Sequence, residues 1–127
     1  MRARVLLVDD IQRIRGGLRS LLASESLEIC GEAADGEEAI EKVRDLHPDV
    51  VILDIFMPVM NGIEAAREIR RIAPSTKILF FTIEDIPQAR VIARSIGADG
   101  FVSKAAARNE LISTIKGLFE DPRSSRN

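Results

Sequence analysis

Three acidic side chains stand directly after two short apolar runs. Asp9 and Asp10 follow Val5-Leu6-Leu7-Val8, and Asp54 follows Val50-Val51-Ile52-Leu53. Runs of Val, Ile and Leu without alternation read as strands buried on both faces, as in a parallel sheet. If the two strands lie side by side and run the same way, their carboxyl ends bring three carboxylates together. Like charges at such range repel more strongly as the local dielectric falls. The cluster persists when a cation fills it, or when one member loses its charge by protonation or modification.

Two further residues stand at the ends of other apolar runs. Thr82 follows Ile78-Leu79-Phe80-Phe81, and Lys104 comes shortly after Gly100-Phe101-Val102. Three carboxylates, a hydroxyl and an ammonium are well suited to holding a hard divalent cation and a phosphoryl group together. Mg²⁺ takes oxygen ligands, usually one or two carboxylates plus phosphate oxygens and water. Phosphoryl transfer needs positioning and charge neutralisation more than covalent help from the protein. An Asp can itself be the nucleophile, giving an aspartyl-phosphate. Lys104 would then pair with one phosphate oxygen and Thr82 hydrogen-bond another. Each residue also has a plain structural reading. Asp9 and Asp10 suit a helix cap, Asp54 a turn start, Thr82 a cap or strand-end filler, Lys104 a solvated charge. Together, at the ends of four different strands, they are hard to explain that way. His47, before Pro48 at the opposite end of the sheet, reads as a surface turn residue without a catalytic role.

The elements that must position these groups follow from apolar periodicity. Ile14, Leu18, Leu21 and Leu22 fall at helical spacing. Leu27–Ala33 alternates Leu27 and Ile29 against Glu28 and Glu32, which suits an edge strand wetted on one face. After the Asp35-Gly36 turn, Ala39, Ile40, Val43 and Leu46 make a helical stripe that stops before Pro48. Ile63, Ala66, Ile69 and Ile72 or Ala73 form the next, stopped by Pro74. Ile86, Ala89, Ile92, Ala93 and Ile96 form another, closed by Gly97 as a C-cap. Leu111, Ile112, Ile115, Leu118 and Phe119 complete a last helix. Five βα units in strict alternation imply parallel pairing with right-handed crossovers, and so a doubly wound α/β sheet with helices on both faces. Ligands in such sheets bind beyond the strand carboxyl ends, where the strand order reverses. The pattern alone leaves the order open. A 2-1-3-4-5 order would put the first and third strands side by side and the amphipathic second strand at an edge.

With 127 residues, 46% of them hydrophobic, the chain can build one domain with one core. A net charge of −2 does not suit a general nucleic-acid surface. The apolar runs are far below the ~20 residues that span a bilayer, and no apolar targeting segment follows Met1, so a cytoplasmic location is expected. The lone Cys30 offers no internal disulfide and no metal-ligand spacing, and reads as a buried, inert thiol.

The string Leu53-Asp54-Ile55-Phe56-Met57-Pro58-Val59-Met60-Asn61-Gly62 closely resembles the phosphoacceptor segment of response-regulator receiver domains of the CheY-like superfamily. Val8-Asp9-Asp10, Phe81-Thr82 and Gly97-Ala98-Asp99-Gly100-Phe101-Val102-Ser103-Lys104 match that family's other signatures in order and spacing. The resemblance covers the chain to about Phe119. It implies a flavodoxin-like sheet of order 2-1-3-4-5, with residues 1–120 as the receiver domain and 121–127 as a polar tail. It further implies that Asp54 is the phosphoacceptor. Mg²⁺, or Mn²⁺ in its place, would be held by Asp10, Asp54 and the backbone carbonyl of Phe56, with Asp9 acting mainly through a metal-bound water. Thr82 would be the switch hydroxyl, Lys104 the ion-pairing lysine and Phe101 the switch aromatic. The donor would be a phosphohistidine on a sensor histidine kinase or phosphotransfer protein. Self-phosphorylation and self-dephosphorylation would be the only reactions catalysed.

Phosphorylation would then bias the surface of the fourth helix, fifth strand and last helix, Asp85 to Phe119, where partners or a second copy dock. Ala105–Ala107, Arg90, Arg94 and Arg108 are expected to shape it. Two residues depart from the usual pattern. Ala105 replaces the proline that often follows the lysine, and a cis bond there would cost ~2.5–4 kcal/mol. Phe56 is large and apolar, and its ring is expected to shield the site from water. The style of Asn61-Gly62-Ile63-Glu64-Ala65-Ala66 resembles receivers of LuxR/NarL-type regulators, so DNA enters only if a helix-turn-helix effector domain lies outside this chain. A haloacid-dehalogenase-type phosphatase wants a second Asp where Phe56 stands. A nucleotide-binding module wants a Gly-rich phosphate loop, and none follows a strand.

Overall fold

A computed structural model describes residues 2–23, 25–83, 87–105 and 108–119. Strands and helices alternate: β1 (Ala3–Val8), α1 (Gln12–Leu22), β2 (Leu27–Ala33), α2 (Gly36–Leu46), β3 (Val50–Leu53), α3 (Gly62–Ile72), β4 (Lys77–Thr82), α4 (Pro87–Ser95), β5 (Gly100–Ser103) and α5 (Arg108–Gly117). The strands form one sheet in the order β2-β1-β3-β4-β5, and every neighbouring pair is parallel. This is the expected doubly wound α/β architecture, with the strand order that the resemblance implied. Asp85, Ile86, Ala106, Ala107 and the tail from position 120 lie outside the described residues.

The apolar runs do not alternate with polar residues because both faces of the sheet are covered. Leu6, Val8, Val51, Leu53, Ile78 and Phe80 pack with α2, α3 and α4. Val5, Leu7, Val50, Ile52, Leu79 and Val102 pack with α1 and α5. Burying one such large side chain stabilises the fold by about 1.5–3 kcal/mol, so the sheet is a rigid base for whatever its ends carry. Helix ends follow local chemistry. Asp35 caps α2 by accepting from the Glu38 N–H, and Asn61 and Glu64 form a reciprocal capping box on α3. Gly97 closes the segment after α4 at φ +79°, as its glycine predicts.

Two details differ from the simple pattern. In β2 the pairing steps from Val5–Ile29 to Leu6–Gly31, which leaves Cys30 as an extra bulged residue. One inserted residue turns every later side chain to the other face. Ile29 therefore packs towards α1 and α5, while Ala33 packs towards α2 and α3. Cys30 is half-buried rather than buried, and its partial burial pushes the thiol pKa up. In α4 it is Ala89 and Ala93 that lie against the sheet. Ile92, expected in the buried stripe, is 39% exposed, and Val91 is 64% exposed. The two alanines bring the helix close, and the larger residues turn outward.

No described peptide bond is cis, Lys104–Ala105 included. Among the described residues, no helix is long and apolar enough to cross a membrane.

Candidate functional site

The register of β1 on β3 pairs Val8 with Leu53, so Asp9 and Asp54 are the next residues on adjacent parallel strands. The Asp54 N–H donates to the Val8 carbonyl at 3.0 Å, and the Asp9 N–H to the Ala33 carbonyl of β2 at 3.1 Å. Backbone pairing thus runs past the strand ends and fixes both main chains. The segment after Asp54 folds back sharply. A Cβ on Gly62 would stand 2.0 Å from the Asp54 carbonyl oxygen, so only glycine lets the start of α3 sit this close. Val59 turns the same segment at φ +67°, an uncommon conformation for a β-branched residue.

The carboxylates of Asp9, Asp10 and Asp54 each offer an oxygen within 4.8 Å of the other two. Asp9 and Asp54 are buried, and Asp10 is exposed. Lys104 Nζ stands 2.6 Å from Asp9 Oδ2 and 3.3 Å from Asp54 Oδ2. The main-chain N–H of Lys104 donates to the Thr82 carbonyl at 2.8 Å, which ties the end of β5 to the end of β4. Five of the residues read from sequence thus meet at one end of the sheet.

The helix-cap reading of Asp9 and Asp10 and the solvated-charge reading of Lys104 fail on geometry. The N-cap of α1 is Ile11, without a side-chain cap, so neither aspartate caps that helix. Asp9 Oδ1 instead accepts from the Ile11 N–H at 2.9 Å. The Lys104 side chain is 12% exposed and is no solvated charge. Thr82 is buried, and its Oγ1 has no hydrogen-bond partner among the described residues; the same holds for Asp54 Oδ1. Leaving a buried polar atom unpaired costs about 1–3 kcal/mol.

The electrostatics are strained. Burial raises the Asp54 pKa first of all; Lys104 works against that shift, the nearby Asp9 charge adds to it, and the Phe56 backbone N–H favours the charged form. Burial opposes the charge on Lys104, but its bond to Asp9 and the charges of Asp54 and Asp9 outweigh that and raise its pKa. One ammonium cannot neutralise three carboxylates. Hard oxygen donors with an unpaired buried carboxylate oxygen among them fit a divalent cation of the Mg²⁺ type, which Asp9, Asp10 and Asp54 could hold.

Phe56 follows two residues after Asp54 with its side chain 51% exposed. Phe101 is not part of the acidic cluster. Its half-buried ring lies 6.4 Å from that of Phe80 and under the Arg90 guanidinium, whose carbon is 4.5 Å from the ring centre. His47 is an exposed turn residue at φ +49° that ends α2, as expected. Sequence reasoning passed over Arg15 and Arg19 and read Glu32 only as part of a wetted face opposite Leu27 and Ile29; past the Cys30 bulge Glu32 turns to the α1 side, where the three residues join α1 to β2 beside the site. Their only signal is an Arg pair at helical i, i+4 spacing, and its target emerges only once β2 is known to flank α1.

The family model described as the response regulator receiver domain matches residues 5–116. The response regulator GacA of Pseudomonas viridiflava is 37% identical over 123 residues, covering 94% of this chain and 56% of that protein. The chain thus spans little more than half the length of such relatives. The chemotaxis protein CheY of Thermotoga maritima is 44% identical over 105 residues, covering 82% of this chain and 87% of that protein. Among solved structures, a LuxR-family two-component response regulator from an Aurantimonas species superposes with a TM-score of 0.88 at 35% identity, covering 93% of this chain and 85% of that one. CheY from Borrelia burgdorferi, in a complex with CheX, BeF3 and Mg²⁺, gives 0.89 at 29% identity, covering 94% and 90%. On the sequence match across nearly all of its strands and helices, the chain belongs to the response regulator receiver domain family.

Proposed function

We propose that the chain is a Mg²⁺-dependent phosphoacceptor switch of a two-component system, with Asp54 as the residue modified. The observation that carries this reading is the state of Asp54: a buried carboxylate with one oxygen against Lys104 and the other without a partner among the described residues. A free carboxylate oxygen can attack phosphorus on a phosphohistidine. The new O–P bond forms as the N–P bond breaks, and the donor imidazole leaves with the electron pair and takes a proton from water. Asp10, Asp54 and the Phe56 carbonyl would hold the cation, with Asp9 contributing indirectly. A bound Mg²⁺ would supply the positive charge that neutralises the phosphoryl oxygens. Lys104, fixed as a cation by Asp9, pairs with one such oxygen. Thr82 Oγ1, already buried and unpaired, donates to another.

The response follows from the same contacts. Movement of Thr82 opens space for the Phe101 ring, which now lies between Phe80 and Arg90. α4, β5 and α5 are then the face that changes, and a partner or second copy reads it. The protein works in the cytoplasm with a sensor histidine kinase or phosphotransfer protein. DNA enters only through an effector domain outside this chain. The Phe56 ring shields the phosphoryl group from water.

Incubation with a small phosphodonor and Mg²⁺ should label Asp54 alone by peptide mass spectrometry, and Asp54→Asn should abolish labelling while the fold persists. Persistent labelling at another residue would falsify the assignment. Phe56→Asn should shorten the phosphoryl lifetime; equal autodephosphorylation rates in the two proteins would dismiss the shielding role. Amide NMR shifts on phosphorylation should extend into α4, β5 and α5, and shifts confined to α1 and α2 would remove that face as the output.

A further inference from the structure

The two metal-ligand candidates on β1 are held very differently. Asp9 is fixed on every side: its N–H by Ala33, one carboxylate oxygen by Ile11 N–H and the other by Lys104. The exposed carboxylate of Asp10 has no hydrogen bond or ion pair among the described residues. The peptide plane that joins it to Asp9 fixes the starting direction of its Cα–Cβ bond. That plane has one side-chain anchor among the described residues: Arg15 Nη1 donates to the Asp9 carbonyl oxygen at 2.6 Å.

Arg15 is itself aimed. Its Nε donates to Glu32 Oε1 at 2.8 Å, and its side chain is only 15% exposed. Glu32 is held in turn by Arg19, which places two N–H groups on Oε2 at 2.8 and 2.9 Å. A planar guanidinium can serve two acceptors in fixed directions at once, which a lysine ammonium on a flexible stem does not do. We propose that Arg15 is a positioning residue for the cation site, locking the Asp9–Asp10 peptide so that the Asp10 carboxylate faces Asp54. The inference rests on the reading of Asp9, Asp10 and Asp54 as the Mg²⁺ site.

Two effects of Arg15 on that site have opposite signs. As a nearby positive charge it would repel Mg²⁺, so its removal would tighten binding. As an anchor of a ligand's backbone its removal loosens binding, and outer partners of metal ligands typically contribute 10–100-fold in affinity. Glu32 neutralises the guanidinium at contact distance, so the anchoring effect should win. The decisive measurement is calorimetric Mg²⁺ titration of the wild type, Arg15→Ala, Arg15→Lys and Arg19→Ala, alongside urea melts in EDTA.

Arg15→Ala and Arg15→Lys should each weaken Mg²⁺ binding roughly 10-fold. Arg19→Ala should stay within about twofold, because Arg19 touches Glu32 but not Asp9. If Arg15→Ala does not fold, the Arg15→Lys and Arg19→Ala pair decides. Unchanged or tighter binding in the Arg15 variants overturns the inference, as does equal weakening in Arg19→Ala, which would reduce the network to general support. Asp10→Asn separates the two levels. If it loses affinity and Arg15→Lys does not, only the positioning role falls. If the wild type binds no Mg²⁺, or Asp10→Asn binds as well as the wild type, the cation site falls with it.

Discussion

Replacing Asp54 by asparagine should make the metal-free protein more stable, although it removes the group on which the proposed function depends. The carboxylate pairs with Lys104 at 3.3 Å, an attraction of about 5 kcal/mol at an effective dielectric of 20. Against it stand Asp9 and Asp10 with oxygens within 4.8 Å, each a repulsion of about 3.5 kcal/mol on the same basis. Solvent reduces the share of the exposed Asp10. The burial cost of a charged Asp54, first cause of its raised pKa, acts in the same direction as the repulsion. The net expectation is a gain of about 1–2 kcal/mol for the neutral amide, which keeps an oxygen able to accept from Lys104. Urea unfolding in EDTA, followed by far-ultraviolet circular dichroism because the chain has neither Trp nor Tyr, reads this directly. Saturating Mg²⁺ should then reverse the ranking. A ligand at about 100 times its Kd adds about 2.7 kcal/mol to the wild type, and the variant should gain much less. A less stable Asp54→Asn in EDTA, or equal stabilisation of both proteins by Mg²⁺, would refute the idea of a charge-strained site relieved by a cation.

Three further substitutions probe other parts of the molecule. Gly62→Ala puts a Cβ 2.0 Å from the Asp54 carbonyl oxygen, so the loop after β3 must shift; a loss of about 3 kcal/mol or more is expected in urea melts. Val59→Gly relieves a β-branched side chain at φ +67° that is 74% exposed, and should raise stability by about 1 kcal/mol, read as a higher Tm. Glu32 has a pKa below its usual 4.5: burial opposes the shift, and the bonds from Arg19 and Arg15 outweigh it. Its stabilising share is therefore complete above about pH 4.5 and is lost as pH falls through the lower folded value. Glu32→Gln should be less stable than the wild type at neutral pH, with the gap closing in acid; a gap that stays constant from about pH 7 to about pH 3 would remove Glu32 as a charged partner.

What the sequence could reveal divides along the range of the interactions involved. Strand runs, Asp35 and Asn61 as caps and Gly97 as a terminator act over a few residues, so their chemistry is visible locally. Asp9, Asp10, Asp54, Thr82 and Lys104 were legible for a different reason. Parallel strands all end on the same side, so a reactive residue after each run needs only the direction of the strands to be brought to one place. The Cys30 bulge was hidden because a single extra residue depends on how β2 pairs with β1, and nothing in Leu27–Ala33 specifies that pairing. Ile92 was misassigned because its spacing fits the helical stripe equally well; the choice fell to the alanines, whose small side chains allow α4 to approach the sheet.

The Arg15–Glu32–Arg19 network is the most instructive of the hidden features. Its members lie on two elements and carry no motif, yet Arg15 reaches the backbone of Asp9 itself. A sheet end can collect carboxylates by topology, but topology does not orient a peptide plane. Asp9 meets that need through its own side chain, which is buried, accepts from the Ile11 N–H through one oxygen and is ion-paired with Lys104 through the other. Asp10 is exposed, and the one side-chain contact to the peptide before it, among the described residues, comes from Arg15. If the acidic cluster works as a cation site, the residues that collect the ligands and the residue that aims one of them are different. The second kind becomes visible only when hydrogen bonds to backbone carbonyls are traced outward from the site.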